Sequence, residues 1–254
     1  GKHVANLLAF QPDEQIAGVL ALKDYEQAPY LVLATKDGLV KKTALTEYDT
    51  NRTGGLIAIN LKEGDELVSA RLVDDAGELI MVSAKGMSVR FRADDLRAMG
   101  RATSGVIGMR FRDGDHTLAM DVIRPNCDLV TVTDGGFAKR TPLSEWNTKG
   151  RAGLGVRAMK LVEERGSLVG ALVSEPDDSI FAIASNGVVI RTPVADIRQT
   201  SRDTMGVNLM GLAGGVTVVA VARAAAEEED SDPAPEEEPA TRDDGQARSD
   251  GEEE

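Results

Sequence analysis

The chain has 254 residues, 42% of them apolar, and a formal net charge of −13. That length suits one large domain or two small ones. A single cysteine, Cys127, excludes an intrachain disulfide and fits a reducing, cytoplasmic setting. No apolar run reaches membrane-spanning length, since the longest, Val216–Val221 with the alanines after it, is broken by Arg223.

Gly1 stands where an initiator methionine would, which suggests a fragment or a processed start. The segment 1–29 reads as the later part of a repeat unit, with a strand-like run at Ile16–Leu22. A complete unit follows. An apolar run, Tyr30–Ala34, leads into Asp37-Gly38 and then into Leu39–Thr43, which reads as a hairpin with a tight turn. The same pattern recurs around Gly86, Gly136 and Gly187, at intervals of 48, 50 and 51 residues. A second glycine series, Gly55, Gly105, Gly155 and Gly206, is spaced by 50, 50 and 51. Gly1 belongs to it by the match of Gly1…Asn6-Leu7 to Gly55…Asn60-Leu61. Each of these glycines is followed by a short apolar stretch and then a further strand-like run, as at Leu67–Val73, Leu118–Ile123, Leu168–Val173 and Val216–Val221.

About four strands per unit of roughly 50 residues predicts an all-β propeller or pinwheel, because one small sheet buries both faces only by stacking on neighbours. The predicted blades run over about 30–78, 79–127, 128–178 and 179–226, after the partial blade at 1–29. A β-sandwich does not predict a fixed period. The one short helical pattern is Asp94–Met99. Residues 227–254 carry 14 acidic and 2 basic residues, so they hold nearly all of the net charge. Such a segment buries too little apolar surface to order itself and is expected to be a disordered acidic tail.

Charge follows the repeat. The fourth residue after each hairpin glycine is basic in all four copies: Lys42, Arg90, Arg140 and Arg191, with Lys41 and Lys139 beside two of them. A second basic position precedes the second glycine: Arg52, Arg101, Arg151 and Arg202. Between the two lies an apolar pair that should pin the loop, as in Leu45/Tyr48, Leu143/Trp146 and Val194/Ile197; the second copy keeps Leu96. Two basic registers on a propeller predict a positive rim, which suits the phosphates of a bent duplex and contacts backbone rather than bases. No aromatic set stands in register, which disfavours stacking on single strands. On this reading, Arg140→Glu with Arg191→Glu should weaken duplex binding without loss of fold. Catalysis finds no support. His3 and His116 lie near no nucleophile motif, and Asp113/Asp115 lack the closing glutamate of a calcium loop. A protein-binding propeller is the competing reading.

The stretches Gly1–Pro12, Ala28–Leu45, Arg52–Leu61 and Met99–Phe111 carry a family resemblance. They resemble the carboxy-terminal β-pinwheel of bacterial DNA gyrase A subunits, actinobacterial ones in particular, with the amino-terminal part missing. The related A subunit of topoisomerase IV is the alternative. The resemblance implies a non-catalytic segment that wraps duplex DNA for an ATP-dependent type IIA topoisomerase. Strand cleavage, ATP, Mg, the A-subunit dimer contacts and those to the gyrase B subunit would lie on other domains. The family's Gln-(Lys/Arg)-Arg-Gly-Gly-Lys-Gly box would precede Gly1. The segment 149–155 reads either as a decayed copy, in which only Arg151, Gly153 and Gly155 match, or as an ordinary glycine-rich blade loop, and Lys149 at its start joins the candidate DNA contacts.

Overall fold

The computed structural model describes residues 12–52 and 54–224. Four antiparallel hairpins recur along it: β1(Tyr30–Thr35) with β2(Leu39–Ala44), β4(Glu78–Ser83) with β5(Met87–Arg92), β8(Asp128–Thr133) with β9(Phe137–Pro142), and β12(Ser179–Ala184) with β13(Val189–Pro193). The first strand of each hairpin also pairs with a long inner strand: β3(Leu67–Val73), β7(Thr117–Ile123), β11(Leu168–Ser174) or β15(Val218–Ala224). The protein is thus all-β and built from repeated blades, the fold class that the period predicts.

The outermost strand is not the repeat's own. β6(Val106–Ile107), β10(Val156–Arg157) and β14(Val207–Asn208) each pair with β2, β5 and β9, the hairpin edges of the preceding repeat. Three sheets therefore have four strands, and the fourth, β13-β12-β15, has three. Sequence period alone puts four strands in one unit. In space, the second, third and fourth units each keep three and lend one back.

This lending fixes two glycines. Gly38 turns the first hairpin at φ +88°, and a Cβ there would lie 2.4 Å from the Met109 carbonyl oxygen. Gly155, at φ +76°, brings β10 so close that a Cβ would meet the Ser88 carbonyl oxygen at 2.1 Å. Only glycine takes both that φ and that approach.

In the second and third sheets the central hairpin strands are apolar on both faces because a neighbouring sheet covers each face. In β4, Leu79 and Met81 join the core shared with the first sheet, whereas Ile80 and Val82 face the third. In β8, Leu129 faces the second sheet, and Val130 and Val132 face the fourth. Alternation with period two thus divides each strand between two inter-blade cores. The expected apolar pairs lie at short 3-10 turns, Leu45–Tyr48, Ala93–Asp95, Leu143–Glu145 and Val194–Asp196, with every member buried except the half-buried Tyr48. Ala93 fills the place in the second copy where the other copies have a larger residue. The helical pattern read at Asp94–Met99 is one of these turns, not a helix.

The inner strands β3, β7, β11 and β15 contact one another in succession. Residues 17–20 join them around a central cavity of about 280 Å³. The strand expected at Ile16–Leu22 is not formed. Inner strands elsewhere pair with a hairpin of their own repeat, and among the described residues this segment has none. Gly1, His3 and the acidic tail lie outside the described residues.

Candidate nucleic-acid interface

The first basic register proves largely a device of the fold. Lys42 is buried. Its Nζ donates to the Ala93 carbonyl at 2.9 Å, sits 4.5 Å from the Tyr30 ring centroid and lies 3.8 Å from Asp75. Arg90 donates from Nε to Glu78 at 2.7 Å, and from Nη1 to the carbonyls of Leu143 and Trp146 at 2.9 and 3.1 Å; its Nη2 also pairs with Glu78. Burial alone would raise the Glu78 carboxyl, but Thr148 and Arg90 outweigh it and hold the group below its ordinary value. Arg140 repeats the pattern with Asp128 at 2.5 Å and the Ile197 carbonyl at 2.8 Å. In three copies, then, this cation reaches across to the 3-10 turn of the next repeat and fastens it. The expectation that Arg140→Glu spares the fold is corrected: a glutamate there would face Asp128. Arg191 is exposed, 5.8 Å from the Phe181 ring.

Lys41 and Lys139 are fully buried, which corrects their assignment to the rim surface. The Lys41 Nζ donates to the carbonyls of Ala58, Gly100 and Arg101, and the Lys139 Nζ to those of Ser201 and Arg202 at 2.7 and 2.6 Å. Burial pushes the Lys41 ammonium down to about 8, with Glu47 opposing and Arg101 assisting. Burial likewise lowers Lys139 to about 8, against Glu145 and Asp203 and with Arg202. A buried cation held by carbonyls clamps the loop that supplies them.

Two members of the second register, Arg101 and Arg202, sit on those clamped loops, and Arg151 sits on the equivalent loop, where Val89 replaces the lysine. Arg101 donates from Nη1 to the Ile57 carbonyl at 3.0 Å, Arg151 to Ile107 at 2.9 Å and Arg202 to Arg157 at 3.0 Å. Each acceptor is the second residue after the preceding repeat's Gly55, Gly105 or Gly155. The period in sequence is thus a staple between successive lent segments, and these three arginines are only half exposed. Arg52 and Lys149 are exposed. The Lys149 amide donates to the Arg90 carbonyl, which anchors the start of the 149–155 loop. Asp115 caps its own turn by accepting from the amides of Lys85 and His116, both at 2.9 Å.

A second group of cations escaped the register search. Lys85, Arg110, Arg112, Arg157 and Lys160 surround a cavity of about 330 Å³ where β10 covers the edge of the second sheet. All five are exposed. They recur in at most two copies, so a search for positions filled in every repeat passes over them.

The profile of a family described as DNA gyrase C-terminal domain, beta-propeller, matches residues 29–74, 77–124, 128–175 and 178–225. The chain is 51% identical over 231 residues to the DNA gyrase A subunit of Mycolicibacterium smegmatis, covering 90% of this chain and 27% of the relative. It is 55% identical over 244 residues to that of Streptomyces coelicolor, covering 91% and 28%. The chain therefore spans little more than a quarter of these relatives. A solved C-terminal domain of DNA topoisomerase IV superimposes with a TM-score of 0.83 at 28% identity, over 89% of this chain and 71% of that one. A DNA gyrase A C-terminal domain does so with 0.79 at 26%, over 87% and 74%. The two structures barely differ as matches, whereas sequence identity near one half falls to gyrase A subunits. With four repeats matched in the order in which the hairpins are built, the chain belongs to the DNA gyrase C-terminal domain family.

Proposed function

We propose that this chain binds and wraps duplex DNA around its outer edge, as the carboxy-terminal part of a gyrase A subunit. The supporting observation is the four-repeat family match together with roughly half-identity to gyrase A subunits. In that role the chain contributes no catalytic group. In such an enzyme, strand cleavage, ATP hydrolysis and contacts with a B subunit would lie elsewhere, on other domains of the assembly. The lent strands suit a wrapping surface: they tie each blade to the next, so the outer edge resists the bending energy of the duplex as one body. The described residues contain no helix long and apolar enough to cross a membrane.

The test is binding of the full chain to a duplex of about 100 base pairs across a salt series. Log affinity should fall steeply and linearly with log salt, by about 0.9 per phosphate neutralised. Absence of binding at low salt would reject the proposal. A topoisomerase IV role is the second reading, favoured only by the 0.83 superposition. Nicked circles closed on the bound protein separate the two: a positive linking shift supports gyrase-type wrapping, and no shift supports the second reading.

A further inference from the structure

In a repeat protein, a residue that recurs at every repeat is accounted for by the stacking, whereas an exposed residue that does not recur and has no bond within the fold calls for another reason. The cavity at the edge of the second sheet separates the two kinds. Its apolar floor recurs. Met87 corresponds to Leu39, Phe137 and Val188; Phe111 and Leu161 to Leu61 and Leu212; Met109 and Met159 to Ile59 and Met210. Its cations recur in two copies at most. Where this junction has Lys85, the others have Asp37, Gly135 and Asn186. Where it has Arg110 and Lys160, the outer copies have Asn60 and Gly211. Arg157 is matched by Ile57, Ile107 and Asn208, and Arg112 is matched by Lys62 alone.

Geometry concentrates these charges. Arg110, Phe111 and Arg112 follow β6 in one repeat; Arg157 and Lys160 belong to or follow β10 in the next. β10 lies on β5, and the Arg110 amide donates to the Gly153 carbonyl at 2.9 Å, so the two segments run side by side. The one carboxylate on the cavity wall, Asp115, is occupied by two backbone amides. Lys85 donates to the Asp113 carbonyl at 2.8 Å and Arg157 pairs with Asp203 at 2.5 Å. Arg110, Arg112 and Lys160 make no side-chain hydrogen bond or ion pair among the described residues. They are exposed and adjacent, with Lys160 adding to Arg157 in holding the Asp203 carboxyl below its ordinary value, whereas Lys41, Lys42, Arg90, Lys139 and Arg140 are held by bonds within the fold.

We infer that the junction of the second and third blades is the principal phosphate anchor of the duplex, held by Arg110, Arg112 and Lys160 with Lys85 and Arg157 at the margin. The wrap is therefore uneven, tightest at one point of the edge and looser on either side. This rests on the duplex-binding proposal above and adds where the contact lies.

The experiment compares the full chain with Arg110→Ser/Arg112→Ser/Lys160→Ser and with a control of equal charge change elsewhere, Lys23→Ser/Lys36→Ser/Arg92→Ser, in the same salt series. The junction variant should lose affinity by about 10-fold or more, and its salt slope should shrink by about 2 to 3. The control should lose much less. Equal losses in both, or none at the junction while the unaltered chain still binds, overturn the anchor and leave the duplex-binding proposal standing. No binding by the unaltered chain removes both. Acetylation of lysines read by mass spectrometry gives a check that needs no substitution. Duplex should protect Lys85 and Lys160 more than Lys23 and Lys36, and equal protection counts against the anchor.

Discussion

Lys41 and Lys139 are cations committed to the fold although water would hold each charge better. Each places an ammonium among the backbone carbonyls of a loop from which an arginine staple projects. Their pKa values, pushed down to about 8 by burial, have a thermodynamic consequence. The unfolded chain keeps these protons up to the ordinary lysine value of 10.5, so between about pH 8 and 10.5 it binds more protons than the folded chain. Stability from these two groups must then rise with pH across that window and stay flat below it. Denaturant unfolding at pH 7.5, 8.5 and 9.5 should show that rise, and Lys41→Met/Lys139→Met should flatten it. An unchanged slope in the double variant would place the titration elsewhere. The sequence displays these lysines as members of a basic register, because spacing reports where a residue recurs and not which way its side chain turns.

At the scale of elements, the hairpins were legible and the lent strands were not. Asp37-Gly38 and Asn186-Gly187 between apolar runs name their own turns, and their partner strands lie a few residues away. A two-residue strand such as Val156–Arg157 has no periodicity to read, and its partner Ser88 is 68 residues away. The second glycine series was the visible trace of this pairing. The conformational demand at Gly155 differs from that at Gly187. Gly187 has φ +85° but nothing near its absent Cβ, whereas Gly155 adds the Ser88 carbonyl at 2.1 Å. Gly187→Ala should therefore cost only about 1 kcal/mol of backbone strain, and Gly155→Ala roughly 3 kcal/mol or more as β10 is pushed off its edge. Chemical denaturation of the two variants side by side decides it; equal losses would mean that β10 accommodates the methyl group.

The whole molecule is a series of cores that no blade owns alone. Its stability is expected to follow nearest neighbours rather than a single centre. Fold class and blade period could be read from spacing, since stacking imposes the period. The candidate interface could be read only in part: most of the cations kept in register serve the stacking, Lys41 and Lys139 serve it from two copies alone, and spacing does not report which cations stay exposed for a ligand. Net charge belongs to this scale as well. Residues 1–226 carry a charge of about −1, against −12 for 227–254, so the acidic segment offers a polyanion in competition for the same edge. A chain ending at residue 226 should bind duplex about 10-fold more tightly at low salt, with the gap closing as salt rises. Equal affinity of the two chains in titrations at 50 mM salt would dismiss the competition.

Among the described residues, the fourth sheet lacks the strand that every other sheet receives. Val189 of β13 is 54% exposed, where Val40, Ser88 and Ala138 at the same place are fully covered. A blade here is finished only by its successor, so the array has a polarity: closure travels from later repeats to earlier ones and never the reverse. The amides of β13 are consequently the first hairpin amides to meet deuterium, and order in this molecule is handed backwards along the chain.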